Sequence, residues 1–141
     1  MATTPVDCQC KAFQAAVDVL GRPWNAFLLT MLQEGALRFS EISARPNGPG
    51  DKVLSARLKL LEEHGLVSRR GYSTHPPRDE YLLTDKGREL VPVVTALRQW
   101  GARHYVDDAE LVHAACDHRV ELLAHCPHCE RDVEPTELTV A

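Results

Sequence analysis

The chain has 141 residues, 44% of them hydrophobic, which is enough for one buried core and typical of a single main domain. Its net charge is −4, but residues 1–106 carry 14 Lys and Arg against 11 Asp and Glu (+3), whereas residues 107–141 carry 2 against 9 (−7). The acidic charge therefore belongs to the tail and does not exclude a nucleic-acid-binding surface in the upstream residues. The sequence has no signal sequence and no apolar run of about 18 residues, which predicts a cytoplasmic protein with no membrane partner.

Apolar residues recur at helical spacing in the N-terminal half and predict four helices. We expect them at about 13–20, 23–34, 39–44 and 51–64. Gly21 and Gly65 are suited to ending the first and fourth helices, and Pro23 to beginning the second. Asp51 is a plausible N-cap for the fourth helix.

After residue 65 the apolar residues no longer recur at helical spacing. The sequence there predicts a β-hairpin with strands at 66–72 and 80–83 and a loop at 73–79. Thr84 can cap a long final helix, kinked at Pro92, with an apolar stripe along one side. That stripe contains Leu90, Val94, Leu97 and Trp100 together with Gly101 and His104. The predicted fold class is mainly α with a small β-hairpin wing (α+β).

The fourth helix has two chemically different faces. At about 100° per residue, the inward arc contains Val53, Leu54, Leu58, Leu60 and Leu61. The outward face offers Lys52, Ser55, Ala56 and Lys59, beside Glu62 and Glu63. Two cations, a hydroxyl and a small residue suit a helix in the DNA major groove, and the alternative is an ordinary solvated face.

Arg57 points into the apolar arc, where an unpaired charge is costly. We expect an acidic partner on another helix or a phosphate contact from the helix edge, in preference to a contact with a base. His75 and Arg78 lie at the predicted hairpin tip, where a wing reaches the minor groove or the backbone. The alternative is that this tip is only a turn.

Several segments together resemble HxlR-type regulators, a branch of the MarR-like winged helix-turn-helix proteins. The matching segments are Cys8, 20–24 (LGRPW), 38–42 (RFSEI), 52–59 (KVLSARLK), 65–67 (GLV), 76–77 (PP), 81–90 (YLLTDKGREL) and 100–101 (WG). Each is weak alone, but their order and spacing are specific.

The resemblance implies a homodimer joined through the first and last helices, with the 51–64 helix reading duplex DNA. Arg38, within the matching segments, joins the candidate DNA contacts. The expected function is transcriptional regulation, most simply repression, with no catalysis and with any small-molecule effector left open. Two departures, Arg22-Pro23 in place of the family's Gly-Lys and Gly50-Asp51 in place of a hydrophobic residue and Ser, suggest an altered DNA preference.

The acidic tail, 106–141, is predicted to be an appendage to a domain of residues 8–105. It contains HxxC and CxxC pairs whose spacing suits structural zinc: His113, Cys116, Cys126 and Cys129. His118, His125 and His128 are rival nitrogen ligands, and residues 120–123 are expected to form a strand between the two turns. The alternatives are a frayed tail with free thiols and a Cys126–Cys129 disulfide.

Cys8 and Cys10 precede the first predicted helix, near the expected dimer interface. They are candidates for redox sensing, which the resemblance supports, although a half-buried cysteine packed as a small hydrophobe is the simpler interpretation. The sequence suggests two other classes of function, a zinc hydrolase and a protein-interaction module. A zinc hydrolase needs an open metal position, which four ligands do not leave. A protein-interaction module with structural zinc leaves the exposed cations without a role.

Overall fold

The computed structural model describes residues 6–106 and 111–139, with the side chains of residues 6–10 and 77 excepted. In chain order the elements are α1 (Val6–Leu20), α2 (Asn25–Leu32), β1 (Leu37–Arg38), α3 (Phe39–Ser43), α4 (Asp51–Glu63), β2 (Val67–Thr74), β3 (Pro77–Leu83), α5 (Asp85–His104), β4 (Ala124–Cys126), β5 (Arg131–Val133) and a 3₁₀ turn (Pro135–Glu137). The chain divides into two compact units between Thr95 and Ala96. No described helix is long and apolar enough to cross a membrane.

The helices are those predicted, with three differences at their beginnings. The first helix, α1, begins at Val6 rather than at about residue 13, so Cys8 and Cys10 lie within it and not before it. Pro23 does not begin α2, because Trp24 adopts a left-handed conformation with φ of 74° and the helix starts at Asn25. The Asn25 side chain is buried and donates from Nδ2 to the Val19 carbonyl over 2.6 Å, which joins the end of α1 to the start of α2.

We predicted that Asp51 is the N-cap of α4, and this prediction is wrong. Gly50 holds that position with extended backbone, and Asp51 is the first helical residue. The Asp51 carboxylate accepts a hydrogen bond from the Ser43 hydroxyl, which connects the end of α3 to the start of α4. At the other end of α4, Gly65 has φ of +70°, as expected for a glycine that ends a helix.

The wing is a three-stranded antiparallel sheet in the order β1-β3-β2. Its hairpin strands pair from Val67 with Leu83 to Thr74 with Pro77, so both are longer than predicted. Most of the predicted loop 73–79 is therefore strand. The sequence analysis missed β1, because a two-residue strand has no detectable period.

The core lies between the helices and the base of the wing. It contains Leu28, Leu29, Leu32, Ile42, Leu54, Leu58, Leu61, Leu66, Val67, Leu83 and Val94. Thr84 caps α5 as predicted, since its hydroxyl accepts from the Gly87 N–H over 3.1 Å and donates to the Gly65 carbonyl over 2.6 Å. A Cβ on Gly87 would lie 2.1 Å from the Leu66 carbonyl oxygen. The start of α5 is therefore held against the chain that leaves α4.

The tail contains a short antiparallel hairpin, β4 with β5, paired from Ala124 with Val133 to Cys126 with Arg131. The predicted strand at 120–123 is wrong: residues 121–123 have neither strand nor helix. Upstream, Val112 and Arg119 form an isolated antiparallel bridge around a tight turn. The Val120 N–H donates to the Leu111 carbonyl over 3.3 Å, but residues 121–123 have no strand partner in the described tail.

Candidate nucleic-acid interface

The α4 helix separates its apolar and polar side chains as expected for a recognition helix. Leu54, Leu58 and Leu61 are at most 1% exposed and anchor it to the core. The predicted outward residues are all exposed: Lys52, Ser55, Ala56 and Lys59. The structure thus brings these four candidates together on one solvent-facing side.

Val53 was predicted to face the core, but its side chain is 40% exposed. On the helical wheel it lies at the edge of the inward arc, only about 100° from Lys52, so a small rotation of the helix exposes it. An exposed methyl group beside a cation is suited to contact the methyl group of thymine. Val53 is therefore a candidate base contact that the sequence analysis did not identify.

The charged groups along α4 differ in how they are paired. Lys59 lies 4.0 Å from Glu63, with both side chains well exposed, so this pair is loose. For Lys52, no ion pair is recorded with any described residue. Asp51, the carboxylate that departs from the family pattern, is engaged with Ser43. The N-terminal turn of α4 therefore presents the Lys52 ammonium group with no described counter-ion.

Arg57 is half-buried, and its Nε is buried without a hydrogen-bond partner in the described part of the chain. An orphaned guanidinium N–H is costly, and native structures rarely leave one unpaired. The acidic partner that we considered is not found among the described residues. A phosphate contact from the helix edge, which we expect in preference to a base contact, stays a prediction.

The wing carries further cations. His75 is exposed at the hairpin tip, with Nδ1 3.3 Å from the Thr74 hydroxyl oxygen. Arg78 is also exposed, but it lies on β3 opposite Ser73 rather than in a loop. Arg38, on β1, places its guanidinium 4.6 Å from the centre of the Tyr72 ring. These three candidates belong to one sheet and its tip.

Two arginines of β2 were absent from the predicted set. Arg69 lies 3.5 Å from Glu62 of α4 and 3.7 Å from Asp79 of β3, so it links the helix to the wing. Arg70 donates from Nε to Glu80 over 2.8 Å. Their acidic partners, spread over two elements, gave no local sequence signal.

The predicted metal ligands form two separate pairs. His113 Nδ1 lies 3.2 Å from Cys116 Sγ. Hydrogen bonds from the backbone and thiol of Cys129, and from the backbone of His128, lower the pKa of Cys126. Among the described residues no three such side chains surround one point. Cys8 and Cys10 fall in α1, but their side chains lie outside the described part of the structure.

Two of the three rival histidines of the tail, His118 and His125, are hydrogen-bonded through Nδ1. His118 lies 2.7 Å from the Cys116 carbonyl oxygen, and His125 lies 3.0 Å from an Asp132 carboxylate oxygen. Farther along, Arg131 makes a two-point contact with Glu137 and lowers the pKa of that carboxyl group. The described tail is therefore connected by hydrogen bonds and an ion pair, and none of its described residues from 111 onward is buried.

Comparison with known proteins gives consistent matches. Residues 19–109 match the family model described as HxlR-like helix-turn-helix. The uncharacterised HTH-type transcriptional regulator YvaP of Bacillus subtilis is 41% identical over 102 residues, covering 72% of this chain and 94% of YvaP.

Solved structures agree with this match. The reduced form of the redox regulator HypR is similar with a TM-score of 0.61 and 33% identity, over 66% of this chain and 94% of HypR. PA1607, described as a candidate transcription factor, has a TM-score of 0.72 and 29% identity over 100% of this chain and 96% of its own. These relatives are regulators rather than enzymes, as predicted. The protein is a transcriptional regulator that belongs to the HxlR-like helix-turn-helix family.

Proposed function

We propose that this regulator binds specific sites in double-stranded DNA as a homodimer. In this proposal α4 lies in the major groove, and the β2–β3 hairpin reaches the adjacent minor groove or backbone. Repression is the expected outcome, since a dimer bound over a promoter excludes polymerase.

The observation that carries the DNA proposal is the division of α4 between a fully buried leucine face and an exposed face bearing Lys52, Ser55, Ala56 and Lys59. Ammonium and hydroxyl groups bind phosphates and base edges, and Ala56 allows close approach to a groove. The unpartnered Nε of Arg57 on the same helix favours an anionic partner over water. A merely solvated face leaves that donor unexplained.

Homodimerisation is favoured by the exposure of α1. Between residues 11 and 20, only Val19 and Leu20 are partly covered, and Phe13 is 72% exposed. An open groove with a volume of about 630 Å³ lies beside Ala16 and Val19, so the helix is loosely packed on its own domain. A 15-residue helix with an uncovered apolar face needs a partner to be stable.

The α5 helix offers a second uncovered apolar surface. Leu97 and Trp100 are 55% and 52% exposed, respectively. Large apolar side chains at helical spacing mark an interaction surface when several lie together. In the proposed homodimer, a second copy of the chain covers each of these two surfaces.

The direct test is to map the genomic sites that the protein occupies and then measure its affinity for them at several salt concentrations. Phosphate contacts predict that the affinity falls steeply as salt rises, and base contacts predict preference for the mapped sequence. Deleting the gene should raise transcription beside those sites. Binding that is absent, or indifferent to salt and sequence, would contradict the proposal and favour a protein-interaction module.

Redox control is a second proposed property, favoured by the similarity to HypR, which is described as a redox regulator, and by the position of two cysteines, Cys8 and Cys10, in α1. Formation of a disulfide between subunits at Cys8 or Cys10 would constrain two α1 helices and change the spacing of the recognition helices. We expect the thiol oxidant diamide to lower DNA affinity in the parent protein but not in Cys8→Ser or Cys8→Ser/Cys10→Ser. A parent protein that binds equally well after complete thiol oxidation would contradict this.

A further inference from the structure

The tail contains two turns of the same construction. We call them the first knuckle (residues 113–117) and the second knuckle (residues 126–130). In the first, the N–H groups of Cys116 and Asp117 donate to the His113 carbonyl over 3.1 and 2.8 Å, while Val112 and Arg119 pair across its base. In the second, β4 and β5 pair across the base, from Cys126 with Arg131 outward. Each turn carries one pair of metal-binding residue types, three positions apart.

The backbone is also alike in the two knuckles. The residue after the second ligand has positive φ in both: 55° at Asp117 and 52° at Glu130. This conformation costs an L-residue roughly 1–2 kcal/mol, and Glu rarely adopts it. Its occurrence at the same place in both turns indicates that the tight reversal brings the two side chains of each pair to one side.

The distance within the first pair fits two ligands of one tetrahedral ion. Bonds of about 2.3 Å to sulfur and about 2.0 Å to nitrogen place these ligand atoms about 3.5 Å apart. His113 Nδ1 and Cys116 Sγ are 3.2 Å apart without a metal. In the second knuckle, the side chains of Cys126 and Cys129 are hydrogen-bonded to each other, so this pair is also in contact.

The tail also lacks another means of holding itself together. Of its described residues from 111 onward, none is buried, and the partly covered ones are only Leu111, Val120, Cys126 and Val133. So little apolar burial does not offset the entropy of ordering about 30 residues. A metal cross-link supplies the missing stabilisation in domains of this size.

We propose that one Zn²⁺ joins the two knuckles through His113, Cys116, Cys126 and Cys129, as a closed structural site. Three thiolates and an imidazole are soft ligands that favour zinc over magnesium or calcium. Because no three ligands surround one point among the described residues, binding must draw the pairs together. Residues 121–123 between them have no helix or strand to resist this movement.

The test is elemental analysis of the untagged full-length protein, together with its variants. About one zinc per chain is expected in the parent, with loss of most of the metal in Cys116→Ser, Cys126→Ser and His113→Ala. His128→Ala, which changes the second knuckle outside the proposed set, is the matched control and should keep its metal. Replacement of zinc by Co²⁺ should give the absorption of a tetrahedral thiolate site.

A second readout separates a structural site from incidental binding. A chelator should open the tail to protease while the unfolding temperature of the helix-turn-helix core stays within a few degrees of the parent. Substoichiometric metal together with freely reactive thiols, or a Cys126–Cys129 disulfide in freshly purified protein, would overturn the proposal. Retention of zinc in His113→Ala but loss in His118→Ala would overturn the assignment of His113.

Discussion

At the scale of single residues, the outward side chains of α4 were predictable because rotation of 100° per residue separates them clearly from the three buried leucines. Val53 was not, since it lies at the edge of the apolar arc and its exposure depends on how neighbouring elements pack. The ion pairs of Arg69 were equally inaccessible, because its partners Glu62 and Asp79 come from different elements. The sequence therefore predicts which side chains lie on the polar or the apolar face of a helix, but it does not predict which residues contact each other in the tertiary structure.

The two outward lysines provide the first prediction. Lys52→Ala and Lys59→Ala should each weaken binding to the mapped sites without affecting the fold, because both side chains are exposed. A lost base contact should cost about 1–3 kcal/mol and relax sequence preference, whereas a lost phosphate contact should weaken all sequences alike and reduce the salt slope by about one. The check is affinity at several salt concentrations on specific and scrambled duplexes.

Arg88→Ala serves as the control for that experiment. It removes an exposed cation from α5, whose recorded partner is Asp85 at 3.0 Å. Binding should remain near that of the parent. Unchanged affinity in both lysine variants would show that α4 is not the recognition helix.

At the scale of elements, prediction succeeded where a period was long enough to measure. The longer helices each contain several repeats of their apolar pattern, and the existence of the helices and of the hairpin is confirmed. Prediction failed at β1, which has only two residues. It also failed at 120–123, where apolar residues suggested a strand but no neighbouring strand pairs with them in the described tail. The start of α2 was misplaced because the left-handed turn at Trp24 is set by tertiary packing rather than by Pro23.

The junction between α5 and the chain after α4 provides an element-scale prediction. Gly87→Ala should destabilise the protein by about 1–3 kcal/mol or more, because the added Cβ would collide with the Leu66 carbonyl oxygen. Each kcal/mol lowers the unfolding temperature of a domain this size by roughly 4–8 °C, which calorimetry can measure. Gly101→Ala, in the same helix but with no atom within 4 Å of the added group, should leave monomer stability equal or slightly higher. Equal unfolding temperatures for the two variants would contradict this account.

At the scale of the whole molecule, the sequence indicated the division of charge between a +3 segment and a −7 tail. It also indicated, through the family resemblance, that the first and last helices serve association. The geometry of a dimer was beyond prediction, because an apolar stripe does not specify what covers it. Whether the tail holds zinc was likewise undecidable from spacing alone, since CxxC serves both metal and redox chemistry.

Association provides the whole-molecule prediction. Leu97→Glu should yield monomers or insoluble chains, because it places a carboxylate within an apolar surface that a partner must cover. Arg88→Glu, about half a turn away around α5, introduces the same carboxylate outside that surface, with a charge change of −2 rather than −1, and should remain dimeric. Light scattering gives the mass of each. A soluble Leu97→Glu protein with the mass of a dimer would place the interface elsewhere.

The close approach at Gly87 also has a genetic consequence. The atom that an added methyl group would meet belongs to the main chain of Leu66, so trimming a neighbouring side chain cannot relieve the collision. A cell that carries a substitution at this codon and is selected for restored regulation should recover mainly by true reversion. For substitutions at Leu54, Leu58 or Leu61, by contrast, compensating changes at other positions should be common, because side chains of the core can exchange volume with one another.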